Sequence, residues 1–285
     1  MEIRRRLELA NDNAAAFLLA RAEANGWERV RRPGFTAVRC GGGAGGRVEA
    51  DRIVVTRPYP DPAALQEQLV AQFRERQDAQ LCVEDPYNRL DLSGFGFEPG
   101  IGYAVMAREP VVDGGAITGT GMGASMGTGA VGVGVAAAAS HPGPATCEVL
   151  DADGLAVVER TVVEGFPVPA YQPWRRGGLL PAALLERPGF RAWLVRRDGE
   201  PASACLTYDD GEVVGVYWVA TLPEHRSQGA ARAVMEHALT AYPDRVVTLV
   251  ATLLGEPLYR KMGFREHGVS RWWRYPATAP APSAG

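Results

Sequence analysis

One junction limits the folds open to this chain of 285 residues more than any other. Val213-Val214-Gly215-Val216-Tyr217-Trp218-Val219-Ala220 is a β-branched and aromatic run, short enough to be a buried strand. Pro223 stops it, because proline donates no ladder hydrogen bond. The chain then passes through Arg226-Ser227-Gln228-Gly229 into Ala230-Ala231-Arg232-Ala233-Val234-Met235-Glu236-His237-Ala238-Leu239. Val234, Met235, Ala238 and Leu239 recur at helical spacing. The sequence reads strand, small-residue loop, helix. The first turn of such a helix leaves backbone N–H groups unpaired and carries partial positive charge, which suits phosphate oxygens. Gly229 and Ala231 keep bulk away from that backbone, and Ser227 adds a hydroxyl donor. Taken alone, the same loop also reads as an ordinary strand-to-helix turn.

The strands around it are legible. Arg191 to Arg197 leads into Asp198-Gly199, a hairpin turn signal. Glu200 to Tyr208 is the return strand, and Asp209-Asp210-Gly211 turns again into the strand ending at Ala220. Arg245 to Thr252 predicts a further strand, and Val269 to Tyr275 a terminal one. Between those two lies Leu258-Tyr259-Arg260-Lys261-Met262-Gly263-Phe264.

The two motifs together resemble the GNAT acyltransferase superfamily. Its pyrophosphate loop has the pattern Q/R-x-x-G-x-G/A, matched by Arg226, Gly229 and Ala231. Its closing helix has Leu-Tyr-x-x-x-Gly-Phe, matched by Leu258, Tyr259, Gly263 and Phe264. Thr252 stands seven residues before the tyrosine, where many members carry Asn or Ser. The resemblance covers roughly residues 145–276, and it implies acetyl-CoA as co-substrate and direct attack by a primary amine. It implies that Val219 and Thr221 at the end of the fourth strand, Arg226, Ser227, Gln228, Gly229, Ala230 and Ala231 in the loop, and Thr252 contact the cofactor. Tyr259 is then the general acid that protonates the departing thiolate. Backbone N–H groups near Val219 polarise the thioester carbonyl.

The general base stays open among Glu164, Glu212, Glu224, His225 and a water relay. The resemblance places the acceptor near residues 153–174, where Phe166, Tyr171 and Trp174 make an aromatic, Pro-rich segment. These rings either enclose an apolar amine, from a small molecule or a peptide, or pack under their own loop. Acyl-chain length is not decided. The reading from another class is a CoA-binding regulatory or scaffold protein that transfers nothing.

In the N-terminal half, Arg52 to Thr56 reads as a strand and residues 62–76 as a helix, with Leu65, Leu69, Val70 and Phe73 in one stripe. Residues 79–83 are strand-like again. Leu92-Ser93-Gly94-Phe95-Gly96-Phe97 echoes the C-terminal closing motif, with Leu92 where Tyr259 sits, and Tyr103 to Arg108 follows as a strand. Arg57-Pro58-Tyr59-Pro60-Asp61 replaces the glycine loop. This half resembles a degenerate second copy without cofactor loop or acid. The expected architecture is α+β (α/β): tandem GNAT-like modules, each with a mixed, mostly antiparallel central sheet flanked by helices. The expected division is 1–110, a Gly/Ala-rich linker 111–145, a catalytic domain 146–276 and a loose tail 277–285.

Charge and composition narrow the partners. A net charge of −3 leaves no general footprint for nucleic acid. Residues 117–140 carry no charge, yet their glycine content argues against a membrane span. Gly41 to Gly46 lacks the Lys-Ser/Thr of a phosphate loop and reads as a hairpin tip. Cys40, Cys82, Cys147 and Cys205 are scattered, and no signal peptide is visible, so a cytoplasmic protein with free thiols and no metal site is expected. Oligomeric state is not legible.

Overall fold

The computed structural model describes residues 2–40, 51–73, 80–110, 145–166 and 171–275. The expected hairpin tip, the body of the linker and the tail lie outside them. In chain order the elements are α1 (Glu2–Asn25), β1 (Glu28–Arg32), β2 (Phe35–Arg39), β3 (Asp51–Val55), α2 (Pro62–Phe73), β4 (Leu81–Asp85) and β5 (Glu98–Arg108). After the linker come β6 (Ala145–Val149), α3 (Ala152–Gly165), β7 (Phe190–Arg197), β8 (Glu200–Asp209), β9 (Val214–Thr221), α4 (Ala230–Thr240), β10 (Val247–Ala251), α5 (Glu256–Lys261) and β11 (Arg265–Tyr275).

The meander β7–β8–β9 forms as the turn signals require. Asp198 and Gly199 both take positive φ, 50° and 85°, which a tight hairpin turn demands. Ala145, expected in the linker, opens β6, which pairs antiparallel with β7.

The mixed sheet is continuous through both halves. Its order is β1-β2-β3-β4-β11-β5-β10-β9-β8-β7-β6. At its centre the halves exchange strands. β5, from the first half, lies antiparallel between β10 and β11, and β11, from the second, lies antiparallel between β4 and β5. Two parallel pairs flank this crossing, β3 with β4 and β9 with β10, each joined by a helix on the sheet. Sequence periodicity shows that β5 and β11 are strands but not which neighbours they take, because pairing is a long-range choice.

Strand alternation sorts the helices between the two faces. Ala104 and Met106 of β5 pack with Val234, Met235 and Ala238 of α4, whereas Val105 packs against Leu7 and Ala10 of α1. The α2 core is built from Leu65 and Leu69 against Phe35, Ile53, Val55 and Val83. Phe17 of α1 shares a core with Leu155, Val158 and Val162 of α3 and with Leu194, Ala204 and Leu206 of the sheet. So α1 and α3 cover one face of the second half, and α4 the other.

The sequence reading assigns no helix to residues 2–25. The reason is physical: the buried side of α1 includes Asn11, Asn13 and Arg21 alongside Phe17, Leu18 and Ala22, which breaks the apolar stripe that marks a helix. No helix among the described residues is long and apolar enough to cross a membrane.

Strand exchange predicts that neither half is self-sufficient. A fragment of residues 145–285 leaves β11 without both neighbours and β10 with one open edge, so it should be unfolded or aggregated by circular dichroism. Co-expression with residues 1–110 should yield a soluble complex with the spectrum of the intact chain. A folded, monomeric 145–285 fragment would contradict the assignment.

Candidate active site at the split between two parallel strands

β9 and β10 pair only through Val214↔Val247, Gly215↔Thr248 and Val216↔Leu249. Beyond Val216 no further pair joins them. On its other side β9 carries a bulge: Leu206 opposes Tyr217 and Ala204 opposes Ala220, so Trp218 and Val219 together face Cys205. Trp218 takes φ 55°, a left-handed conformation unusual for a bulky residue. The extra residue turns consecutive side chains to unexpected faces. Tyr217 and Trp218 both pack toward the α1/α3 core, while Val219 packs into the α4 core. At the strand's end, the Ser203 hydroxyl donates to Ala220 O (2.7 Å) and lies 3.0 Å from Thr221 Oγ1.

The loop after β9 is exposed and rigidly shaped. Ser227 has φ 58°, and Gly229, at the N-cap of α4, has φ 82° with nothing within 4 Å of where a Cβ would stand. Arg226 turns inward: its guanidinium donates to Gly165 O (2.8 Å) and Thr221 O (3.2 Å), tying the end of α3 to the end of β9. Its own N–H donates to Pro223 O. Gln228 is committed too. Its amide donates to Glu224 O (2.8 Å), its Oε1 accepts from Arg197 (2.7 Å), and its carbonyl accepts from the same guanidinium. No side chain caps α4, and among the described residues nothing accepts from the backbone N–H groups of residues 227–232. Ala230 and Ala231 therefore sit at an open helix N-terminus that favours negative charge.

The β3–α2 junction differs. The Asp61 carboxylate accepts from Ala63 N (3.0 Å) and Ala64 N (3.1 Å), so α2 supplies its own anion. Nearby, the buried Asp85 carboxylate accepts from the Tyr59 hydroxyl and from the backbone of Tyr87, Arg89 and Leu90.

Tyr259 lies on α5 and belongs to the α4 core, which also holds Ala251 and against which Val219 packs. Gly255 makes room for it: a Cβ there would stand 2.8 Å from the ring. Thr252 builds the turn before α5, its carbonyl accepting from Gly255 N (3.0 Å) and Glu256 N (2.9 Å), its hydroxyl from Gly255 N (3.2 Å). Phe264 meets the Tyr259 ring edge-on at 6.0 Å. Burial, with a smaller contribution from the Cys205 thiol, raises the phenol's pKa well above its ordinary value of 10.0. The phenol therefore keeps its proton across the working pH range. Leu253 and Leu254, in the turn before α5, stand exposed.

The three aromatic residues expected on the acceptor side divide. Phe166 ends α3 and is exposed, and Tyr171 packs against the α3 core. Trp174 donates its indole N–H to Glu159 (3.1 Å), with Arg160 over its ring. Glu159 is fully buried and also accepts from Gly177 N (2.8 Å), Leu179 N (2.6 Å) and Leu180 N (2.9 Å). Sequence reasoning misses this residue. Its one signal is position, between Val158 and Val162 on the apolar side of α3. Of the candidate bases, Glu164 is paired with Arg160 (2.7 Å), while Glu224 and His225 belong to the short turn preceding the loop. Glu212 lies in the turn before β9, its N–H donating to Asp210. Among the described residues no cluster of His, Cys, Asp or Glu has the makings of a metal site.

Truncating Glu159 leaves three backbone N–H groups and an indole N–H without an acceptor. Glu159→Ala should lower unfolding stability by roughly 3 kcal/mol or more, read from a urea midpoint. An unchanged midpoint would show that the 174–180 loop is held by other contacts.

Residues 188–266 match the family model described as Acetyltransferase (GNAT) domain. No curated protein matches the chain. Among solved structures, a GCN5-related N-acetyltransferase from Kribbella flavida aligns with TM-score 0.57 at 17% identity, covering 94% of this chain and 96% of its own. One from Sphaerobacter thermophilus aligns with TM-score 0.53 at 15% identity, covering 96% and 95%. A functionally unknown conserved protein from Staphylococcus epidermidis gives 0.57 at 9% identity, covering 89% and 96%. At these identities the likeness speaks for the fold. The split between β9 and β10, the α4 loop and α5 all fall within residues 188–266, the segment that resembles that family model.

Proposed function

We propose that this chain is an acetyl-CoA-dependent N-acetyltransferase acting on a primary amine of a small molecule or peptide. The observation that carries the reading is the row of unpartnered amides at residues 227–232, opening beside the split between β9 and β10. In it, the N–H groups from Ser227 through Ala231 hold the pyrophosphate, with Gly229 giving close approach. Arg226 and Gln228 act through the loop's shape, since their side chains are bound to the protein. The pantetheine arm runs into the split, between Val219 and Thr221 on β9 and Thr252 beyond β10.

The chemistry balances without a covalent enzyme intermediate. The amine nitrogen attacks the thioester carbonyl carbon, and the oxyanion that forms is held by the Val219 amide. The C–S bond breaks, and the CoA sulfur takes the proton of Tyr259. The proton lost by the amine returns through water to the Tyr259 oxygen. Water is preferred as base because Glu164 is committed to Arg160, and Glu224 and His225 lie on the surface turn.

In this reading the N-terminal half is a degenerate copy that binds no acyl-CoA. Two features support it. The amide of Phe97 donates to Leu92 O after Gly96 (φ 84°), just as Phe264 N donates to Tyr259 O after Gly263 (φ 88°). The helix that would take a phosphate is capped by Asp61. What this half contributes is support: β5 at the sheet's centre and α1 across its face.

The test is thiol release from acetyl-CoA across a panel of amines, amino acids and peptide N-termini. Tyr259→Phe should lower kcat about 100-fold with an unchanged CoA Kd. Undiminished turnover, or failure with every amine offered to the native chain, would overturn the reading. A second expectation concerns pH. Because burial lifts the Tyr259 pKa, the acid form persists above pH 10, so kcat should show no alkaline decline from this group up to pH 10. A fall centred near pH 8 that vanishes in Tyr259→Phe would contradict it.

A further inference from the structure

Trp218 holds a strained, left-handed backbone, and such a residue persists only where its surroundings hold it. Those surroundings come from the other end of the chain. Asn13, Phe17 and Arg21 are spaced four apart and share one side of α1. Asn13 and Phe17 both meet Tyr217 of β9, and Arg21 meets the next residue, Trp218. Asn13 donates to Val213 O and Tyr208 O (both 3.1 Å) and accepts from the Tyr217 hydroxyl (2.6 Å). Phe17 stacks on the Tyr217 ring at 4.3 Å. Arg21, 2% exposed, lies with its guanidinium 5.1 Å from the Trp218 ring and 5.6 Å from the Trp27 ring.

We infer that Arg21 is a positioning residue for the Val219 amide, acting through Trp218. The inference rests on the acyl-transfer reading above and adds to it a residue about two hundred positions away. A planar guanidinium within reach of both indoles fixes the Trp218 side chain on the α1 face. While that side chain is fixed, the peptide between Trp218 and Val219 cannot rotate back into regular strand geometry. Its N–H then stays directed out of the β8 ladder, where a thioester carbonyl receives it. Asn13 and Phe17 hold Tyr217, the residue before the bulge, so α1 clamps the bulge from one side.

The experiment separates this inference from the reading beneath it and needs no acceptor. Calorimetry on the intact chain compares acetyl-CoA with free coenzyme A, which has the pyrophosphate but no carbonyl. The native chain should bind acetyl-CoA about fivefold more tightly, the worth of one ordinary hydrogen bond. Arg21→Lys keeps the charge and loses the plane, and Arg21→Met keeps the length and loses the charge. Both should leave the coenzyme A Kd unchanged and reduce the acetyl preference to about onefold. The retained coenzyme A Kd also reports that the variants fold. Native binding of neither ligand overturns the acyl-CoA reading and this inference with it. Native preference that survives in both variants overturns the inference alone, as does an equal loss of both affinities, which marks Arg21 as a residue of general stability.

Discussion

The site depends on how β10 is held. Its pairing with β9 extends over three residues, too few to fix the strand while leaving it free to part from its neighbour. Five consecutive pairs with β5, from Val247↔Arg108 to Ala251↔Ala104, hold its other edge. One lip of the split is therefore anchored by the first half of the chain. The other lip, β9, is held by β8 and is bent by the Trp218–Val219 bulge. Parting strands in a sheet would normally expose orphaned backbone groups, which is costly unless something else satisfies them. A ligand arm with its own donors and acceptors is the natural occupant.

The same dependence explains the architecture. β11 sits between two strands of the first half, and β5 between two strands of the second, so the closing elements of each half complete the other's sheet. α1 adds a second tie, crossing from Val38 and Val54 on one side to Phe190 and Tyr208 on the other. The molecule has the local form of two units and the long-range form of one.

Much of the site was legible in residue order because its constraints are local. The hairpin at Asp198-Gly199, the proline after β9 and the glycine at the head of α4 each follow from backbone rules within a few residues, whereas Tyr259 is legible only through the resemblance of its motif. The less legible parts have long-range causes. Helix α1 escapes a periodicity search because Asn13 and Arg21 occupy its buried side, where their value lies in partners on β8, β9 and around Trp27. Arg226 matches a phosphate-loop pattern, yet its side chain reaches Gly165 O, a partner 61 residues earlier. Trp174 reads either as a pocket wall or as a ring packed under its own loop, and its indole donates to Glu159. Aromatic residues in a Pro-rich segment do not reveal their hydrogen bonds.

The central claim is that the backbone amides at the head of α4, and not those of α2, receive the diphosphate of coenzyme A. Amide proton and nitrogen shifts recorded during a coenzyme A titration test it directly. The account predicts large, saturable shifts and slowed exchange at residues 227–232, with Ala63 and Ala64 unmoved. Shifts confined to the head of α2, or none at either helix, would contradict it.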